Sequence, residues 1–101
     1  DIKVQIYPNP AGTQLTIDFQ DQYYKNLEIK LINNLGQEVF HSFIDRQKTG
    51  NQITIDLSNI TAGIYLVEIS TKEHKDYKKL VIKKLQYINI LAMKSFKNNG
   101  S

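Results

Sequence analysis

Apolar and polar positions alternate with a period of two along most of the chain. Ile2, Val4 and Ile6 alternate with Lys3, Gln5 and Tyr7. Leu15, Ile17 and Phe19 alternate with Gln14, Thr16 and Asp18, and Leu27, Ile29 and Leu31 with Glu28 and Lys30. Ile53, Ile55 and Leu57 alternate with Gln52, Thr54 and Asp56. In an extended chain each set buries one face and wets the other. Three further runs carry apolar residues on both faces. Residues 38–44 offer Val39 and Phe43 against Phe40 and Ile44; residues 64–70 offer Ile64 and Leu66 against Tyr65, Val67 and Ile69; residues 77–83 offer Tyr77 and Val81 against Leu80 and Ile82. These are also read as strands, the second of them central in its sheet.

Turn chemistry separates all seven runs. Pro8-Asn9-Pro10-Ala11-Gly12 divides the first two, and residues 20–26 form a polar loop. Asn33-Asn34-Leu35-Gly36 reads as a hairpin turn in which Gly36 is free to take positive φ. Residues 45–51, with Gly50, form a polar connection, residues 58–63 join the fifth and sixth runs, and Lys72 to Asp76 reads as a charged turn. Before residue 85 nothing has a helical period. Seven short strands joined by turns predict an all-β fold, a seven-stranded antiparallel β-sandwich of immunoglobulin-like type. Residues 1–84 make up this one domain. Residues 85–101 fit neither period and are read as a separate tail: an added strand, a short helix or a partner-binding segment.

Composition narrows the class. In 101 residues there are 14 Ile and 12 Lys, a single Arg (Arg46) and no Cys. The absence of Cys removes disulfides and thiolate chemistry. No apolar run approaches the ~20 residues of a membrane-spanning helix. The net charge of +3 is unevenly distributed: residues 1–71 hold five bases and eight acids, a net of −3, and residues 72–101 hold eight Lys and two acids, a net of +6. The chain has no starting Met and no leader-like segment, so it is read as a fragment of a larger protein whose targeting signal would lie upstream.

Candidate chemistry is sparse. His41 falls within a strand and His74 in a charged turn; Ser42, Ser58 and Ser70 lack a nucleophile-elbow context; and the carboxylates show neither an acid–base pairing nor calcium-loop spacing. No cofactor, metal or catalytic residue is expected, and a small hydrolase lacks a nucleophile–base pair. Asn59-Ile60-Thr61 matches the glycosylation triplet by a pattern that chance often produces. Tyr77 among Lys78, Lys79, Lys83 and Lys84 is a basic, aromatic group, but one Arg in the whole chain argues against a phosphate or base reader, and Lys on an edge strand blocks aggregation. Nucleic acid is not an expected partner. Tyr23 and Tyr24 could stack on sugar rings, which keeps a carbohydrate-binding or adhesive accessory module as the alternative.

Four motifs, in order, carry a resemblance: Tyr7-Pro8-Asn9-Pro10; Asn34-Leu35-Gly36-Gln37-Glu38-Val39; Leu57-Ser58-Asn59-Ile60-Thr61-Ala62-Gly63-Ile64-Tyr65-Leu66-Val67; and Tyr77-Lys78-Lys79-Leu80-Val81-Ile82-Lys83. Over about residues 4–84 the chain resembles the C-terminal sorting domain of type IX secretion cargo in Gram-negative bacteria. The residues have physical readings of their own. Pro8 and Pro10 fix φ around Asn9 to make a stiff corner with few donors. Gly63 allows a tight reversal, and Tyr65 packs its ring and bonds its hydroxyl to a nearby loop as a tyrosine corner does.

The resemblance implies a non-catalytic address label on a larger cargo. That cargo is carried through the outer-membrane translocon, and a surface sortase then removes the label. The partners implied are translocon and sortase components, and the locations are the periplasm in transit and then the cell surface or medium. Lys78, Lys79, Lys83 and Lys84 are the expected recognition surface; Pro8, Asn9, Pro10, Gly36, Gly63 and Tyr65 are expected to maintain the fold. In that family the chain usually ends soon after the last run. Here 17 residues follow Lys84, read as a vector-derived or otherwise atypical tail that, like an edge strand, could pair in trans to give a weak homodimer.

Overall fold

The computed structural model describes residues 3–20, 24–46 and 49–84. The strands are β1 (Gln5–Tyr7), β2 (Gln14–Asp18), β3 (Asn26–Asn33), β4 (Glu38–Asp45), β5 (Gln52–Asp56), β6 (Gly63–Ser70) and β7 (Lys75–Ile82). They form two antiparallel sheets, one ordered β1-β2-β5 and the other β4-β3-β6-β7. No described residue is helical. The seven expected strands are all present, and β6 is central, between β3 and β7.

The alternation sets which face each strand buries. Leu15, Ile17 and Phe19 from the first sheet meet Leu27, Ile29, Leu31, Val67, Ile69, Leu80 and Ile82 from the second, all but Leu27 (2%) and Ile82 (1%) at 0% exposure. Burying side chains of this size stabilises the fold by about 1.5–3 kcal/mol each before entropy is counted. A slip of one residue would turn a whole row outward, so these rows also fix the register. Arg46 lies over the Phe19 ring at 4.4 Å and donates to the Gly50 carbonyl at 2.6 Å, closing one end of the core.

The structure departs from the sequence reading in the strands and turns as follows. The first run forms a strand only over Gln5–Tyr7; Val4 is buried without being part of it, and Ile2 lies outside the described residues. In β4 only one face is apolar in the packed sense: Ile44 is buried and Phe40 half-buried, whereas Phe43 is 75% exposed. The charged turn is shorter than Lys72 to Asp76, because Lys75 and Asp76 already pair with Ser70 and Ile69. Their charges do not stop pairing at an edge strand, where long polar side chains reach water. The turn itself is Thr71–His74, closed by the Thr71 amide donating to the His74 carbonyl at 2.8 Å.

The hairpin at Asn33–Gly36 forms as expected. Gly36 has φ +81°, and Asn33 Oδ1 accepts the Leu35 and Gln37 amides at 3.0 and 2.9 Å. The tail beyond Lys84 lies outside the described residues.

Candidate functional site at the edge of the last strand

β7 is an edge strand, and the Pro-Asn-Pro segment covers part of it. The Asn9 carboxamide stands in for a strand residue: its Nδ2 donates to the Lys79 carbonyl at 2.9 Å and its Oδ1 accepts the Val81 amide at 3.0 Å. Ala11 continues the pairing. Its amide donates to the Val81 carbonyl at 2.8 Å and its carbonyl accepts the Lys83 amide at 2.8 Å, giving a parallel bridge to Ile82. Pro8 and Pro10 bring no amide that needs a partner, so the segment turns sharply while only Asn9 and Ala11 bond. The Tyr7–Pro8 and Asn9–Pro10 bonds are both cis.

A second set of contacts fastens the β5–β6 connection. The Tyr65 hydroxyl donates to the Thr61 carbonyl at 2.6 Å and lies 3.1 Å from the Thr61 hydroxyl. This is the tyrosine-corner geometry. Gly63 does not make the reversal. It opens β6, paired with Ile82 at φ +159°, and the chain turns earlier, where the Ile60 amide donates to the Leu57 carbonyl at 2.9 Å. Lys84 reaches into the same connection. Its Nζ donates to the carbonyls of Leu57 at 2.6 Å, Ser58 at 3.2 Å, and Ile60. Asp56 sits beside it, its carboxyl held below the usual value by the Ser58 hydroxyl, then by the Ser58 amide and the Lys84 charge.

The four lysines therefore do not make one patch. Lys78 shares the inward row of Leu80 and Ile82 at the margin of the sheet and pairs with Asp76 at 3.5 Å. Lys79 lies on the outer face, opposite Leu66. Lys83 is exposed beyond the strand, and Lys84 is occupied by backbone carbonyls.

The outer face of the four-stranded sheet holds residues that the motifs did not single out. Lys30 is 3.3 Å from Glu28, 3.6 Å from Glu38 and 3.9 Å from Glu68. His41 is 3.2 Å from Glu28 and 3.8 Å from Glu38, and the Tyr77 hydroxyl donates to Glu68 at 2.9 Å. Partial burial pushes the Glu28 carboxyl up, but bonds from His41 and Lys30 and their charges outweigh it, and the net shift is downward. Lys30 is raised, first by its bond to Glu28, and Tyr77 is raised, first by its bond to Glu68. Glu28, Lys30 and Glu68 alternate with the apolar rows of their strands, so their outward face was readable; Glu38 joins them only through the register shift between Leu31 and Ile32, and every partner depends on register. Among the described residues no cluster of His, Asp and Glu could hold a metal ion, and no helix is long and apolar enough to cross a membrane.

Tyr23 lies outside the described residues. Tyr24 is half-buried, and its hydroxyl accepts the Lys3 amide at 2.7 Å. It lines a groove of about 400 Å³ with Asn26, Thr71, Lys72 and His74, at the far end of the sandwich from Lys84.

Fold and edge together define an all-β, immunoglobulin-like sandwich whose last strand pairs with β6 on one side and is fastened on the other by the Pro-Asn-Pro segment, distant in sequence. The chain belongs to the secretion system C-terminal sorting domain family, whose profile matches residues 5–83. It is 29% identical over 82 residues to an endo-acting ulvan lyase of Formosa agariphila, a match that covers 79% of this chain and 15% of the lyase. The chain thus spans about 15% of the length of that curated relative. Two solved structures share the fold. A DUF3244-family protein of Bacteroides vulgatus with an immunoglobulin-like β-sandwich matches with TM-score 0.59 and 19% identity, over 75% of this chain and 81% of that one. A thermostable endoglucanase of Alicyclobacillus acidocaldarius matches with TM-score 0.53 and 19% identity, over 83% of this chain and 15% of that one. Membership in the family makes the chain a type IX secretion sorting signal of a larger cargo, one that implies export to the cell surface or release.

Proposed function

We propose that residues 1–84 act as a non-catalytic label read by the outer-membrane translocon after periplasmic transit, and that a surface sortase then cuts the label from its cargo. The observation that carries this reading is the family match across residues 5–83, which covers every strand. Within the domain, half-buried Lys78 at the inward margin of the last strand, exposed Lys79 on its outer face and exposed Lys83 just beyond its end are the residues we assign to recognition. Lys84 is assigned to holding the β5–β6 connection, because its ammonium group is taken by three carbonyls.

Fusing residues 1–84 to a periplasmic reporter in a type IX-competent bacterium should deliver the reporter to the surface. Retention in the periplasm would count against the reading. Lys78→Glu with Lys79→Glu should lower export by more than its effect on stability explains: Lys79 is exposed and its change should move stability by less than about 0.5 kcal/mol, and Lys78 forfeits a half-exposed ion pair with Asp76 worth about 1 kcal/mol or less. Full export by that variant would reduce the lysines to solubilising charges.

A further inference from the structure

The cover on β7 stops halfway. The bonds from Asn9 and Ala11 fix which peptide groups face away from β6: the Lys79 carbonyl, both groups of Val81, and the Lys83 amide. A strand alternates, so the carbonyls of Lys75 and Tyr77 and the amide of Lys79 project to the same side. The Tyr77 amide is taken by Asp76 Oδ1 at 3.0 Å. Among the described residues no strand lies along this half of the edge. An open ladder of this kind is a template for a further strand.

Beside it, where the two sheets part, a groove of about 390 Å³ is lined by Val4, Ile6, Tyr7 and Asn9 and walled by Lys78 and Lys79. Tyr7 is 41% exposed there. The charges on this half of β7 are Lys75, Lys78 and Lys79 against Asp76, which is already paired with Lys78; the nearby acid on β6, Glu68, is engaged by Lys30 and the Tyr77 hydroxyl. A second copy is a poor occupant: two β7 edges running antiparallel about Tyr77 would set Lys75 against Lys79 on the outer face, and on the inner face would turn Asp76 and Lys78, not apolar side chains, toward the groove. Like charges placed directly opposite destabilise a strand pair. An added strand with apolar residues turned into the groove and acidic residues turned out toward Lys75 and Lys79 meets both demands.

We propose that the edge of β7 over Lys75–Lys79 is a strand-addition site for an extended peptide in which apolar and acidic residues alternate. This deepens the sorting reading and rests on it for the biological role of the contact, though not for the contact itself.

The probe is a capped pentapeptide alternating Val and Glu, titrated into the isotopically labelled full chain. Binding should saturate, weaken as salt rises, and slow hydrogen exchange at the Lys79 amide. A Val–Lys peptide should not bind. N-methylation of alternate peptide bonds in the probe should weaken binding by about tenfold or more, because strand addition depends on main-chain bonds. Lys79→Pro should do the same, since the amide it removes points away from β6; the N-methylated probe keeps the test decisive if that variant folds poorly. Absence of saturable binding, equal binding of the Val–Lys peptide, or protection along β1, β4 or β5 instead would overturn the proposal. Reporter export by the unaltered domain is scored separately. Export without peptide binding sinks strand addition alone, and binding without export sinks the sorting reading alone.

Discussion

Asn9→Ala tests whether the Pro-Asn-Pro segment is a structural clamp. The substitution removes two bonds to β7, at 2.9 and 3.0 Å, and leaves both prolines in place. Asn9 is exposed, so water can replace part of what is lost, and each bond is worth about 0.5–1 kcal/mol net. The expected cost is about 1–2 kcal/mol, a fall in melting temperature of about 4–16 °C for a domain of this size. Asn9→Asp separates the two bonds. It keeps an acceptor for the Val81 amide but sets a carboxylate oxygen against the Lys79 carbonyl, so at neutral pH it should be the more harmful change. Below about pH 4 that carboxyl regains a proton and can donate again, and its deficit relative to the parent should shrink. Urea denaturation followed by far-UV circular dichroism gives the free energies, with an unchanged m-value showing that the unfolded state is the same. Hydrogen exchange at the Val81 amide reports the bond directly. Stability within about 0.3 kcal/mol of the parent for both variants, or unaltered exchange at Val81, would refute the clamp.

Tyr65→Phe deletes the hydroxyl that bonds the Thr61 carbonyl and should cost about 1 kcal/mol, or about 4–8 °C in thermal melts. Lys84→Met strips the cation from the carbonyls of Leu57, Ser58 and Ile60 and should cost about 1–2 kcal/mol by urea titration, whereas Lys83→Met should stay within about 0.5 kcal/mol. Glu28 and Asp56 are held below their ordinary values of 4.5 and 3.8. Their contributions are therefore complete above those values and are lost as pH falls through the depressed ones. The urea midpoint should fall with acid from about pH 4.5 downward, and less steeply in Glu28→Gln. At the alkaline end Lys30 and Tyr77 are raised, so their contributions are present below about pH 10 and fade above it.

Much of this was legible because it is local. The rows of Leu15, Ile17 and Phe19, or of Leu27, Ile29 and Leu31, follow from period two alone, and burial of one face then demands two sheets. Tyr65 was legible because a glycine-led strand with a tyrosine two residues on leaves the ring inward and the hydroxyl beside the preceding loop. The roles of Asn9 and Lys84 were not legible. Asn9 bonds residues 70 and 72 positions away, and Lys84 bonds carbonyls 24 to 27 positions away; carboxamide and ammonium groups look the same in a sequence whether solvated or engaged. The grouping of the lysines failed for another reason. Lys78 and Lys79 are neighbours in the chain and so point to opposite sides of a strand, a consequence of the same alternation that located the core. Finding the partners of Lys30 required the register of three strands, including the irregularity between Leu31 and Ile32.

The placement of these residues bears on how a sorting signal is read. A linear signal would be recognised from residues 77–83 in any conformation, and the sandwich would then serve only to carry it. In this structure the same residues are divided among the inward margin, the outer face and the free end of a strand. They are held there by Asn9 and Ala11 from one side and by β6 from the other. A partner that meets Lys79 on the outer face therefore meets Leu66 with it, and a partner at the edge meets the groove under Val4 and Tyr7. Neither pairing exists in the unfolded chain. Recognition of the folded label should consequently track the stability of the clamp: Asn9→Ala and Lys84→Met, which alter no exposed lysine of β7, should lower export at temperatures where they begin to unfold the domain. A free peptide of residues 77–83 should not compete with it. Competition by that peptide at the affinity of the intact domain would show that the linear sequence is the signal.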